Sequence, residues 1–427
     1  MATNEQSLGR EAPLAPPGEV MTVPATDTGQ RERLLRLLAA ATFLIFFQAF
    51  MVAPLLPRLA TVFGVAVGTM GLIVPAYLIP YGLATLAYGP LSDRFGRGRV
   101  IFASLLAFIL LTGLTAAARA PSSLLLIRLL TGLGASGVVP IALALLGDLY
   151  PYHARGRPLG WLFGAMAGGM AFGSTAGVWL ESFVGWRGLF LGVAILGAVL
   201  FALLLPYRSL LRGSPTRPRA AYRTVLTGYW QLLGSGRARR TYGYVLLNSV
   251  FHSGVYTWLG LYFNQRYGLD GIGIGLALLG YGVPGFLFGP LIGRAADRWG
   301  RRRLVPLGLA IGGVSAAALA LDLPVLVAAL LVTALSLGYD TTQPLFAGIV
   351  TDLSPNKGQA MGLNVFTLFT SFGLGSLLFG GLLGLGLSAT LALFGLVELL
   401  LAAAAIPLFR AESACWPPVR WGAERAP

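Results

Sequence analysis

The sequence predicts an all-α membrane protein in which twelve transmembrane helices form two pseudo-symmetric six-helix bundles. Three observations predict it. Of 427 residues, 56% are hydrophobic and only 11% are Asp, Glu, Lys or Arg, against roughly 25% charged in an ordinary soluble protein. The apolar residues fall in runs of about 20, the helix length that crosses a ~30 Å hydrocarbon core. Two short charged motifs recur at one fixed distance along the chain.

The mean hydropathy of +0.74 leaves too few charges to cover a soluble surface. Apolar runs lie at about 34–57, 69–91, 99–118, 122–149, 158–183, 186–206, 242–265, 271–291, 303–321, 324–351, 358–384 and 388–409. Each reads as a helix, because lipid offers the backbone no hydrogen-bond partner. The Gly and Pro within them suit a membrane bundle, where they allow close approach and bending. The predicted domains are a disordered cytoplasmic tail (1–33), an N-terminal bundle (34–206), a basic cytoplasmic central loop (207–241), a C-terminal bundle (242–409) and a cytoplasmic tail (410–427). Residues 1–30 lack the short apolar stretch of a cleavable signal peptide.

The net charge is +15, and Lys357 is the only lysine among the 31 basic residues. The arginines sit in short connections between apolar runs, which is a topological pattern rather than a nucleic-acid surface. One set of connections is crowded with them, and residues 207–241 contain no acid at all. The opposite set carries only Arg58, Arg119, Arg187 and Arg266. The bias places both termini in the cytoplasm of a multi-pass inner-membrane protein. The single cysteine, Cys415, excludes a disulfide framework and a cysteine-based metal site.

Gly89-Pro-Leu91-Ser-Asp93-Arg94-Phe-Gly96-Arg97 follows the second run, and Gly293-Arg-Ala-Ala-Asp297-Arg298-Trp-Gly300-Arg301 follows the eighth. Corresponding residues are 204 apart. The fourth run ends in Asp148-Leu-Tyr-Pro151 and the tenth in Asp352-Leu-Ser-Pro355, again 204 apart. A shared offset at two sites indicates duplication of a six-helix unit, the parallel-repeat plan of a secondary transporter.

These residues carry a family resemblance. The G-x-L-x-D-R-x-G-R loop and its degenerate second copy resemble the signature loop of the major facilitator superfamily, over residues 34–409. The resemblance implies a cytoplasmic latch that stabilises the outward-facing state, built from Gly89, Asp93, Arg94, Gly96, Arg97 and Asp148, with Asp297, Arg298, Arg301 and Asp352 in the second copy. Gly89 and Gly96 permit close packing and a tight reversal, and Asp148 is a candidate partner for Arg97. The alternative is a positively charged turn with incidental acids.

Arg128-Leu-Leu-Thr-Gly132-Leu-Gly134 resembles the family's R-x-x-x-G-x-G motif, which is associated with proton coupling. A charge one to two turns inside a span costs several kcal/mol unless paired or hydrated; the other reading is an arginine snorkelling to the interface. Asp340, in Gly338-Tyr-Asp340-Thr-Thr-Gln343, and Glu398 are carboxylates in mid-span, candidates for proton uptake or for structural hydrogen bonds. Span five reads Gly164-x3-Gly168-Gly169-x3-Gly173-Ser174, where drug antiporters of the family carry G-P-x-x-G-G; Ser174 replaces the proline. That small-residue stripe suits packing against span eight.

The family fold would place spans one, four, seven and ten around a cavity. Its expected lining is Phe46, Gln48 and Phe50 from span one, Asn248, His252 and Tyr256 from span seven, and Gln343 and Phe346 from span ten. Aromatic walls with few polar groups suit hydrophobic or amphipathic solutes, and amides with aromatics also suit sugars. The expected function is proton-coupled efflux of small molecules by a monomer, powered by a proton gradient and without cofactor. Sugar or metabolite transport is the alternative within the class, and a receptor or scaffold the alternative outside it. No H-E-x-x-H, G-x-S-x-G or Walker sequence is present, so the chain carries no motif of a membrane enzyme or ATP-driven pump. His153 and His252 are too few for a histidine-rich metal site.

Overall fold

The computed structural model describes residues 28–150, 156–211, 222–284, 287, 292, 295, 299–354 and 357–412, without the side chains of Thr28, Asp93, Asp148, residues 222–226 and Lys357. Every regular element among them is helical. The first half contains α1 (Thr28–Phe50), the short α2 (Leu56–Phe63) and α3 (Val67–Gly71), then α4 (Pro75–Phe95), α5 (Arg97–Thr115), α6 (Pro121–Ala135), α7 (Val138–Leu149) and α8 (Gly156–Leu204). α9 (Arg208–Leu211) and α10 (Tyr222–Leu233) follow. The second half contains α11 (Gly236–Tyr267), α12 (Gly271–Ala277), α13 (Arg301–Leu319), α14 (Val325–Thr351), α15 (Lys357–Leu382) and α16 (Leu387–Leu408).

Among the described residues, nine segments are long and apolar enough to cross a bilayer. α8 holds two crossings. Its 49 residues would span about 74 Å at ~1.5 Å per residue, more than twice a hydrocarbon core. Gly185 breaks it with φ 69°, so two membrane-length arms meet there. Large apolar side chains such as Phe183, Leu326 and Leu110 lie exposed on the outside of the bundle. That surface is stable only against lipid.

Two expected boundaries shift. The segment expected as a loop at 207–241 contains helices α9 and α10, and α11 begins at Gly236 rather than 242. The expected tail 1–33 lies outside the described residues up to 27, and residues 28–33 already belong to α1.

The duplication extends to the backbone. Gly96 and Gly300 both have positive φ, 91° and 75°. Gly64 and Gly268, again 204 apart, both take φ 65° as left-handed helix caps. A side chain at these points would be strained, so the repeat keeps glycine where the chain reverses.

Both described ends, Thr28 and Glu412, lie on one face of the bundle, the terminal face; the opposite one is the far face. The halves meet chiefly through α4 against α15 and through the first arm of α8 against α12. On the far face the seam is tight: Gly71 packs beneath the Trp258 ring, and a Cβ on Gly260 would stand 2.9 Å from the Pro54 backbone. One apolar core joins the first half to the middle and far portions of the second. Toward the terminal face the second half has separate clusters of its own, around Phe346 and around Tyr242. The halves are therefore sealed on the far face.

Candidate functional site

An aromatic seam lies between the halves. Phe46 on α1 is 5.6 Å from Phe369 on α15 and 6.3 Å from Tyr81 on α4, centroid to centroid. Phe50 is 5.6 Å from Tyr256 and 6.1 Å from Phe372. The Tyr81 and Phe369 rings meet edge-on at 4.7 Å. Phe46 and Phe50 share a helix face because they are four residues apart.

Gln48 does not join them. Two residues from each, it lies about 160–200° around the helix, on the opposite face. It is fully buried, and neither end of its amide has a partner among the described residues. Phe346 also departs from the expected lining. It packs on Tyr244 and Phe409 within the second half, on the terminal side of α14, because that half closes a core of its own there.

The second half brings the other expected residues together. His252 stacks on Tyr339 at 3.7 Å, and its Nε2 is 2.5 Å from the Tyr281 hydroxyl. Tyr281 stacks in turn on Tyr256 at 4.3 Å. Asn248 Nδ2 donates to Thr342 Oγ1 at 2.8 Å, pinning α11 to α14. Gln343 Nε2 has no partner among the described residues. Asp340 sits one turn after Ser336, whose hydroxyl donates to Asp340 Oδ2 at 2.9 Å. Ser336 Oγ also accepts the Gly282 backbone N–H at 2.8 Å. Gly282, with φ 76°, is packed directly on Ala171 of α8 in the other half. The carboxylate is thus two hydrogen bonds from a contact between halves.

In the first half Arg128 is 1% exposed, so it does not snorkel. Its guanidinium lies 4.3 Å over the Tyr77 ring. Nε donates to the Ile73 carbonyl at 3.5 Å, and neither Nη has a protein partner among the described residues. Glu398 is fully buried where α16 packs on α13, and neither oxygen has a partner among the described residues. Gly313 and Gly395 let α13 and α16 approach to backbone contact, which encloses the neighbouring turn.

The loop motif is partly described. Arg97 Nη1 donates to the Ala144 carbonyl at 2.7 Å, bracing the start of α5 on α7. Arg301 pairs with Asp352 at 3.6 Å and passes against Gly348, the residue 204 after Ala144. The duplicated arginines therefore brace equivalent helix ends. Arg94 is exposed over the Phe95 ring. Asp297 and Arg298 lie outside the described residues, as do the side chains of Asp93 and Asp148. Gly96 makes the tight reversal; a Cβ on Gly89 would meet nothing within 4 Å among the described residues. The first arm of α8 packs on span eight as expected, where Gly275 meets the Thr175 carbonyl, but the glycines of α8 itself face another helix. Gly169, Gly173 and Gly177 pack on the α1 backbone near Phe43, Phe47 and Met51, while Gly282 meets Ala171.

Several residues escaped the sequence reading. Tyr77 and Tyr81 are four apart on one α4 face, and Ser336 stands four before Asp340; both spacings were available as signals. Glu412, expected in a free tail, is buried. Arg237 Nε and Nη2 hold its two carboxylate oxygens at 2.8 Å each, and Arg240 adds a third bond. The Arg237 bonds, first among the causes, hold the Glu412 carboxyl below its ordinary value.

Two membrane bundles that meet at an aromatic seam, with the buried Arg128 packed on Tyr77 beside it, have the architecture of a membrane transporter. The family model described as the Major Facilitator Superfamily matches residues 38–285 and 264–420, and the chain belongs to that family. It is 27% identical over 336 residues to the uncharacterized MFS-type transporter YwfA of Bacillus subtilis strain 168, covering 77% of this chain and 80% of that one. It is 24% identical over 151 residues to the chloramphenicol resistance protein of Pseudomonas aeruginosa, covering 35% and 36%. The fold is similar to that of a bacterial homologue of the human lysosomal transporter Spinster in an inward-facing, unoccupied conformation. There the TM-score is 0.70 at 18% identity, covering 92% of this chain and 100% of that one.

Proposed function

We propose that the protein exports hydrophobic or amphipathic small molecules across the inner membrane by alternating access, coupled to proton entry. The terminal face is then cytoplasmic, by the arginine bias of its connections, and the far-face seal makes this the inward-facing state. The chain works as a monomer and needs no cofactor beyond the proton gradient. One observation carries the reading: the Asp340 carboxylate is joined through Ser336 to Gly282, which packs on the other half. A proton on Asp340 weakens the acceptor that Ser336 addresses, so proton binding and the seam bias one another. Similarity to a chloramphenicol resistance protein supports the outward direction.

The test is flux in proteoliposomes with an imposed pH gradient, using chloramphenicol, Hoechst 33342 and the amphipathic acid 4-phenylbutyrate as probes. Wild type should accumulate a probe against its gradient. Asp340→Asn should lose accumulation and retain exchange at zero gradient. If Asp340→Asn accumulates with the wild-type pH dependence, coupling passes to Glu398; if wild type itself accumulates no probe, the protein is an uncoupled facilitator. A periplasm-active reporter should be silent at the C-terminus and active after Arg119.

A further inference from the structure

We propose that Arg128, Tyr77 and Tyr81 form a binding site for a carboxylate, the anionic end of an amphipathic substrate. Three observations carry it. First, three residues in ring contact carry four hydrogen-bonding atoms without a protein partner among the described residues: Arg128 Nη1 and Nη2 and the hydroxyls of Tyr77 and Tyr81. All three residues are almost wholly buried. Buried polar atoms are normally paired, so each unmade bond is a destabilising feature unless a ligand supplies the acceptor. The two Nη atoms can only donate, so their missing partner is an acceptor, and each tyrosine hydroxyl, which can donate as well as accept, can donate to the same group.

Second, Arg128 forms no ion pair with any described side chain, and its charge is held by the Tyr77 ring and one long bond to the Ile73 carbonyl. A lone buried cation is costly. An incoming anion offsets that cost. The unpaired Nη fork matches the two oxygens of a carboxylate. A dianion would carry a larger desolvation cost into this apolar surround than a carboxylate does.

Third, the site is placed for transport. The Tyr77 and Tyr81 rings stack at 5.9 Å, and Tyr81 meets Phe369 of the other half and Phe46 of its own. A ligand with its carboxylate on Arg128 and an apolar body on these rings touches both halves. Gly132 fixes the base of the site, since its Cα packs directly on the Tyr77 carbonyl. The inference rests on the transport reading and narrows its substrate class to amphipathic organic acids.

Matched carboxylate and amide probes test it on the purified full chain in nanodiscs. Benzoate is set against benzamide, and 4-phenylbutyrate against 4-phenylbutanamide, with binding followed by thermal shift and titration. The carboxylates should stabilise the protein and the amides should not. Arg128→Gln should abolish the difference. Tyr77→Phe and Tyr81→Phe keep the rings, remove only the hydroxyls, and should each weaken carboxylate binding about tenfold; they serve if Arg128→Gln does not fold. Equal shifts by acids and amides, no shift by either acid, or wild-type affinity in the Tyr77→Phe/Tyr81→Phe double variant overturns the site. Failure of the transport reading looks different: Asp340→Asn should bind the carboxylates as wild type does. Pumping of neutral probes without carboxylate selectivity keeps that reading and overturns this one.

Discussion

The Tyr256 hydroxyl on α11 donates a 3.0 Å hydrogen bond to the Phe50 carbonyl at the end of α1. The bond crosses the two halves, and local sequence explains why that carbonyl is available. Four residues on stands Pro54, which has no N–H to offer. A carbonyl left open by proline is capped by a tyrosine from the opposite bundle, and the closed far face supplies that cap. Tyr256→Phe leaves the carbonyl buried without a donor, which should destabilise the far-closed state by about 1–3 kcal/mol. Thiol labelling of a cysteine at Ala53, a buried position of the same seam that already carries a Cβ, in a Cys415→Ser background, measures the shift. Labelling should rise several-fold, and an unchanged rate would show that the bond does not hold the seal.

Ser336 stands between Asp340 and Gly282, so its loss should separate coupling from transport. Ser336→Ala should slow gradient-driven accumulation about fivefold or more, the effect of roughly one hydrogen bond, with zero-gradient exchange less affected. Ser336→Thr should restore coupling. Equal losses in both assays would reduce the serine to a helix-packing role.

Glycine substitutions should divide by what the new methyl meets. At Gly132 it meets the Tyr77 backbone, which cannot rotate away. Gly132→Ala should lower stability by about 1–3 kcal/mol and weaken carboxylate binding. At Gly160 it meets open space within α8, so Gly160→Ala should be neutral or stabilising by up to ~1 kcal/mol. Thermal unfolding of the two variants beside wild type checks the pair, and similar losses in both would contradict the packing assigned here.

Glu412 predicts a pH dependence outside the membrane. Its folded carboxyl titrates below the ordinary value of 4.5 because Arg237 and Arg240 hold the ionised form. A depressed acid contributes stability above its unfolded value and loses it as pH falls through the folded one. Wild type should therefore exceed Glu412→Gln in melting temperature at pH 7, and the gap should narrow below about pH 4.5. The backbone bond from Arg302 N–H to the Glu412 carbonyl, 3.2 Å, should survive in both. A gap constant from pH 7 to pH 3 would show that the clasp is not ionic.

The amino-acid sequence by itself determined that this chain is an all-α membrane protein of two related halves. Apolar runs of bilayer length admit only helices in lipid, and the 204-residue offset of the charged loops marks the duplication. It also located Arg128 and Asp340, because a charge inside an apolar run is conspicuous whatever surrounds it. Only the tertiary structure decided which faces meet. In a soluble helix the apolar stripe marks the buried side, whereas in a membrane both lipid and protein faces are apolar, so the pattern loses its phase. That is why Gln48 and Phe346 read as cavity residues and lie elsewhere, and why the contact of α8 with span eight was legible while the α1 side of its glycines was not. It is also why the four-residue spacing of Tyr77 and Tyr81 carried no assignment by itself: only the fold lays Arg128 on the Tyr77 ring and stacks Tyr81 against it.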